Sequence, residues 1–117
     1  MAFPLFLQIS GEKHVTLFDP HHNEDLYEAH IPEAILGFTP TSGRFHRRTL
    51  LQSTSMVMSP VDIVNPDLNK FPKFARARRL ECTLRPGDVL FMPAFWWHEV
   101  QSRPDPKERR NLAVNFW

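Results

Sequence analysis

At 117 residues the chain has room for one domain, of a size that buries roughly two-thirds of its unfolded surface. Hydrophobic content of 42% and charged content of 23% exclude a disordered chain, and a net charge of +1 gives no bulk attraction to nucleic acid or an anionic membrane. The single cysteine, Cys82, excludes an internal disulfide and fits a reducing compartment.

The apolar opening Met1–Leu7 has no basic flank and is broken by Pro4. It is too short to cross a membrane and reads as neither span nor signal peptide, so the chain is expected to be intracellular, cytoplasmic or nuclear. Eleven prolines against four glycines, with short apolar runs between them, argue for strands and irregular connections rather than a helical bundle. No pair of glycines makes a phosphate-binding loop.

Leu5 to Ile9 alternates Leu5, Leu7 and Ile9 against Phe6, Gln8 and Ser10, which predicts a strand. Ser10-Gly11-Glu12 reads as a turn and Lys13 to Phe18 as the returning strand, so residues 5 to 18 are expected to form a hairpin. Lys13 shares a face with Val15 and Leu17, where it either snorkels at the strand end or pairs with a buried anion. Pro32 to Leu36 has the composition of a short helix start. Arg44-Phe45-His46-Arg47-Arg48 is a local basic cluster, read as a solvated loop or an anion contact. Ser53 to Met58 is a short strand or a loop. Asp67 is placed to cap a brief helix ending before Pro72.

Arg79 to Leu84 alternates, with Leu80, Cys82 and Leu84 inward, making Cys82 a buried small hydrophobe and not a nucleophile. Next comes RPGDVLFMPAFWWHEV, residues 85 to 100, around which the chain is organised. Pro86-Gly87 makes a turn, Val89 to Met92 a short strand stopped by Pro93, and Phe95 to Val100 an aromatic strand. Trp96, His98 and Val100 share one face, opposite Trp97, Glu99 and Gln101. An imidazole walled by indoles is poorly hydrated and held neutral, the form that binds a metal; the alternative is a core histidine satisfied by a carbonyl. Ser102 to Arg110 is a charged, proline-broken loop. The last strand, Asn111 to Trp117, places Ala113, Asn115 and Trp117 on one face, where an amide satisfies a buried backbone group or meets a ligand.

Taken together, GEKHVTLFDP, PGDVLFMPAFWWHEV and NLAVNFW resemble the C-terminal two-thirds of a Jumonji-C (JmjC) domain of the cupin superfamily, with the look of the small JmjC lysyl and asparaginyl hydroxylases. The resemblance implies an all-β fold with short helices, a double-stranded β-helix or jelly roll incomplete at the N-terminus, over residues 1–117 as one partial domain. It implies Fe(II) and the cosubstrate 2-oxoglutarate. By the same resemblance Lys13 binds the distal carboxylate of 2-oxoglutarate, Asn115 contacts the cosubstrate, and His98 is the distal iron-binding histidine. The expected partner is a protein substrate, with no specific nucleic acid and no membrane.

The family carries its other two iron ligands, an H-x-D or H-x-E pair, just ahead of the lysine strand, a place that falls at or before Met1. Met1-Ala2-Phe3-Pro4 lacks the pair, so the chain reads as truncated or alternatively started, and as inactive alone. His22-Asn23-Glu24 has the spacing but follows the lysine strand instead of preceding it, so it is the lesser alternative. Only five or six strands are counted, so the sheets are expected to be incomplete, with open edges near Phe6, Leu7 and Ile9 and poor solubility. Three functions remain open: part of a protein hydroxylase, a catalytically silent cupin-like interaction module, or part of a histone lysine demethylase.

Overall fold

A computed structural model describes residues 4–50 and 55–116; expectations resting on residues 1–3, 53–54 and 117 lie outside the described residues. Ten strands are present among the described residues: β1 (Leu5–Ser10), β2 (Glu12–Phe18), β3 (Ala29–Pro32), β4 (Ala34–Thr39), β5 (Arg44–Thr49), β6 (Ser55–Met58), β7 (Arg79–Leu84), β8 (Val89–Phe91), β9 (Trp97–Arg103) and β10 (Leu112–Phe116). Helix among them is confined to 3-10 turns at Pro20–His22 and Pro72–Arg76. The fold is therefore nearly all β, as a jelly roll requires. No helix of the described residues is long and apolar enough to cross a membrane.

The chain divides into two compact units, one running up to His22 and resuming at Arg76, the other Asn23–Ala75. The first unit holds two three-stranded antiparallel sheets, ordered β10-β1-β8 and β7-β2-β9. Strand alternation decides what each presents inward. Val15 and Leu17 on β2 and Leu84 on β7 are buried together with Met92, and Phe6 (β1), Leu90 (β8), Cys82 and Trp96 pack against them. Residues of both sheets thus share one core, and each side chain fully withdrawn from water contributes about 1.5–3 kcal/mol.

The predicted hairpin over residues 5 to 18 does not form. β1 pairs with β10 and β8, and β2 with β7 and β9, so consecutive strands enter different sheets. Gly11 is the corner, at φ +72°, and a Cβ there would lie 2.7 Å from both the Arg103 carbonyl oxygen and Asn111 Nδ2. Only glycine serves where backbone comes this close in a left-handed conformation. The same topology corrects the expectation of open edges: β1, which carries Phe6, Leu7 and Ile9, is the central strand of its sheet. The alternation on β1 holds, yet its polar set turns inward, with Gln8 1% and Ser10 5% exposed. Leu80 shares the inward parity of Cys82 and Leu84 but is 57% exposed at the strand end.

The aromatic strand begins at Trp97, two residues later than its composition suggests, and runs on to Arg103. Phe95 takes φ +67°, so Pro93 to Trp96 turns instead of extending. In the second unit, β3 pairs with β6 and β4 with β5. The helix start expected at Pro32–Leu36 is absent, because Ala34–Thr39 finds a strand partner in Arg44–Thr49 and the pairing overrides local composition. Leu26, Val61 and Phe74 are buried, and Tyr27 meets Phe71 edge-on at 5.0 Å. Asp67 does cap, its carboxylate accepting from Asn69 N and Lys70 N at 3.1 Å, but over a single turn; the 3-10 segment starts at Pro72.

Candidate functional site

Between the two sheets of the first unit lies a small apolar cleft, open to solvent. Phe6, Val15, Leu84, Leu90, Met92 and Val100 give it apolar walls, and Lys13 and His98 also border it. Both placements follow from pairing on β2. Val15 sits opposite Val100, Leu17 opposite His98 and Lys13 opposite Ser102. Side chains in register share a face, so Lys13, Val15, His98 and Val100 point the same way. Four residues separate His98 from Ser102, which sets the two polar groups about 14 Å apart along the strands.

The half-buried Lys13 ammonium donates to Asn111 Oδ1 at 2.7 Å and to Ser102 Oγ at 3.2 Å. Both acceptors are neutral, and no carboxylate of the described residues lies within ion-pair distance of it. An ammonium has three N–H donors, so one remains uncommitted. Of the two sequence readings, pairing with an anion is not seen among the described residues: the aliphatic stem runs along the apolar wall and the cation is held by an amide and a hydroxyl.

Asn111 was not among the sequence candidates. Its Nδ2 donates to the carbonyls of Glu12 and Arg103, each at 2.8 Å, which fixes Oδ1 toward Lys13. The buried Gln8 adds to the same network, donating from Nε2 to Ser10 O at 2.8 Å, Gly11 O at 3.0 Å and Asn111 Oδ1 at 3.3 Å. Ser10 Oγ donates in turn to Glu108, which also accepts from Arg110 Nε at 2.9 Å. The hydrogen bonds from Ser10 and Arg110 hold the Glu108 carboxyl below the usual glutamate range. The polar run on β1 is the one signal in the sequence that pointed toward this network.

His98 is exposed, with Nδ1 3.4 Å from the Trp96 carbonyl oxygen. The expected indole wall is not built: Trp96 packs on the core, and Trp97 lies on the opposite face of β9 in register with Phe18. Asn115 pairs in register with Phe6, which in turn pairs with Leu90, so the three form a row on the inward face of their sheet. Asn115 is exposed and is not part of the cleft lining, whereas Lys13 and His98 are. Cys82 is half-buried beside the core, and burial pushes its thiol pKa up.

Among the described residues no group of three His, Cys, Asp or Glu side chains is placed to hold a metal ion. His22 and Glu24 are engaged elsewhere: His22 Nε2 accepts from Arg78 N at 3.3 Å, and Glu24 pairs with Lys73 at 3.5 Å.

The chain belongs to the JmjC-like cupins: the family described as "Cupin-like domain" matches residues 4–117. Among curated proteins it is similar to HSPB1-associated protein 1 of Rattus norvegicus, 37% identical over 113 residues, which cover 97% of this chain and 19% of the relative. It is also similar to human tRNA wybutosine-synthesizing protein 5, 37% identical over 114 residues (97% of this chain, 27% of the relative). Lysine-specific demethylase 8 of Danio rerio is 36% identical over 110 residues (94% of this chain, 21% of the relative). The chain thus spans about a fifth to a quarter of the length of the curated relatives it matches.

Proposed function

We propose that residues 1–117 form one cupin-like domain and supply the cosubstrate-binding part of an Fe(II)- and 2-oxoglutarate-dependent protein hydroxylase. The excursion Asn23–Ala75 lies between the neighbouring strands β2 and β7. Lys13 takes the distal carboxylate of 2-oxoglutarate, Asn115 contacts the same molecule, and His98 offers one imidazole to the iron. The carrying observation is Lys13 itself: it borders an apolar cleft, and its ammonium is held by neutral partners with an N–H to spare. A carboxylate meeting it there gains a charge-assisted hydrogen bond in surroundings drier than bulk water. Among the described residues His98 is the one donor proposed for iron, and Fe(II) in such oxygenases takes two His and a carboxylate, so the chain's own residues are assigned cosubstrate binding and a single iron ligand.

A protein partner is supported by the name of the first relative, HSPB1-associated protein 1. The similarity to lysine-specific demethylase 8 supports lysine demethylation as a variant of the same chemistry on the same residues. Among the described residues no donor cluster is assembled, and this supports a second reading, a catalytically silent cupin-like interaction module.

Two measurements separate these. Titration with 2-oxoglutarate, followed by calorimetry, should show binding to the chain and at least tenfold weaker binding to Lys13→Ala; no binding to the unaltered chain defeats the cosubstrate reading. Release of labelled carbon dioxide from 2-oxoglutarate in the presence of Fe(II) distinguishes an oxygenase from a silent module.

A further inference from the structure

We propose that β5 docks an extended acidic peptide segment of a partner protein, which adds as a strand to its free edge. Arg44–Thr49 pairs only with β4 among the described residues, and all six of its side chains are exposed. Such an edge offers a row of unpaired backbone N–H and C=O groups to another chain. Charge then selects what comes. Arg44, Arg47 and Arg48 have no ion-pair partner in the described residues, and the hairpin from Ala34 to Thr49 contains no acidic residue.

Alternation places Arg44, His46 and Arg48 on one face, with neighbours about 6.8 Å apart, and Phe45 and Arg47 on the other. The His46 ring lies over Gly37, in space that a Cβ at that position would occupy, which leaves the two arginines flanking it clear. On the opposite face Phe45 is 69% exposed and rests against Phe38, with ring centres 5.0 Å apart. A peptide strand repeats its side chains at the same interval as β5. Carboxylates at alternate positions would therefore meet Arg44 and Arg48 in register, as opposite charges do across antiparallel strands. Apolar residues between them would lie beside Phe45. A nucleic acid strand would match the charge but would gain nothing from the open backbone edge, which decides for peptide.

The test uses the full chain and a fluorescein-labelled, N-acetylated heptapeptide that alternates Glu with Thr and Val. It should bind, and binding should weaken as salt rises and fall at least tenfold in the Arg44→Glu, Arg48→Glu double variant. These positions are fully at the surface, and an unchanged melting curve checks the fold. Two further heptapeptides carry N-methyl groups at odd or at even positions. One of the pair should lose at least tenfold, because only one set of N–H groups faces β5. Binding should persist in Lys13→Ala, which separates this surface from the cosubstrate cleft. The proposal is overturned if the acidic heptapeptide fails to bind, if a Lys-for-Glu version binds as well, if the arginine changes or both methylation patterns leave affinity unaltered, or if a fifteen-nucleotide single-stranded oligothymidylate displaces the heptapeptide at lower concentration than the unlabelled heptapeptide itself.

Discussion

Asn111 Oδ1 and Lys13 Nζ lie 2.7 Å apart, and the amide has no freedom to turn away, because its nitrogen is committed to two backbone carbonyls. One side chain thereby ties the Gly11 corner to the loop before β10 and aims the only lysine of the cleft. Replacing it by Ala leaves two carbonyls and the ammonium short of a partner. We expect Asn111→Ala to lower stability by about 1–3 kcal/mol, read from denaturant melts. Asn111→Asp should be similarly harmful at neutral pH, since an ionised carboxylate oxygen would face the Glu12 and Arg103 carbonyls. It should recover in part under acid, where the protonated group can donate to one of them. An aspartate variant as stable as the parent at neutral pH would refute the assigned amide orientation.

The corner itself makes a sharper demand. Gly11 combines φ +72° with carbonyl and amide atoms at 2.7 Å from any added Cβ. A left-handed conformation costs a non-glycine residue about 1–2 kcal/mol before any clash is counted. Gly11→Ala is therefore expected to destabilise by about 2 kcal/mol or more. Gly87→Ala is the control, since its φ of +96° is strained but nothing lies within 4 Å of an added Cβ. Equal losses in the two variants would mean that backbone conformation, and not the close approach, sets the cost at Gly11.

Much of this was legible in the sequence, and for an identifiable reason. Strand alternation needs only counting, so the facing of Lys13 with Val15, and of His98 with Val100, came out as read, as did the nearly all-β class. Pairing partners are another matter. Leu5–Ser10 and Glu12–Phe18 are separated by one glycine, and short links favour hairpins, yet each strand has two better partners far along the chain. Nothing local in Pro32–Leu36 announces that Ala34 to Leu36 will pair with Arg47 to Thr49 either. Asn111 escaped for the same cause: its contacts with Gln8 and Lys13 span 103 and 98 residues. The surroundings of His98 were misjudged because Trp96 was counted as part of the strand, whereas the positive φ of Phe95 puts it in the turn that precedes Trp97.

The loop before β10 should respond to acid through Glu108. Its carboxylate accepts from Ser10 and Arg110, and these bonds lower its pKa. A carboxyl whose folded pKa lies below its unfolded value stabilises the fold above the unfolded value, and that contribution disappears as pH falls through the folded one. The Glu108 carboxyl carbon, followed by NMR, should thus titrate below the usual glutamate range. Ser10→Ala should raise the midpoint, because the first of its two supports is gone. Coincident midpoints in the two proteins would show that Arg110 alone holds the charge.

Cys82 gives a test of burial that needs no ligand. It lies on the inward face of β7 opposite Val15, packed on the core, and desolvation raises its thiol pKa. The thiolate is the reactive form, so at neutral pH the fraction available for alkylation falls with every rise in pKa. Iodoacetamide should therefore modify Cys82 more slowly than it modifies a free cysteine peptide at the same pH, and the difference should vanish in denaturant. Cys82→Ser places a hydroxyl against Val15 and the core without an assigned acceptor, and is expected to cost about 1–3 kcal/mol. Cys82→Ala keeps the position apolar and should cost less. If the serine variant proved the more stable of the two, the inward facing of Cys82 on β7 would have to be abandoned, and with it the shared core of the two sheets at that strand.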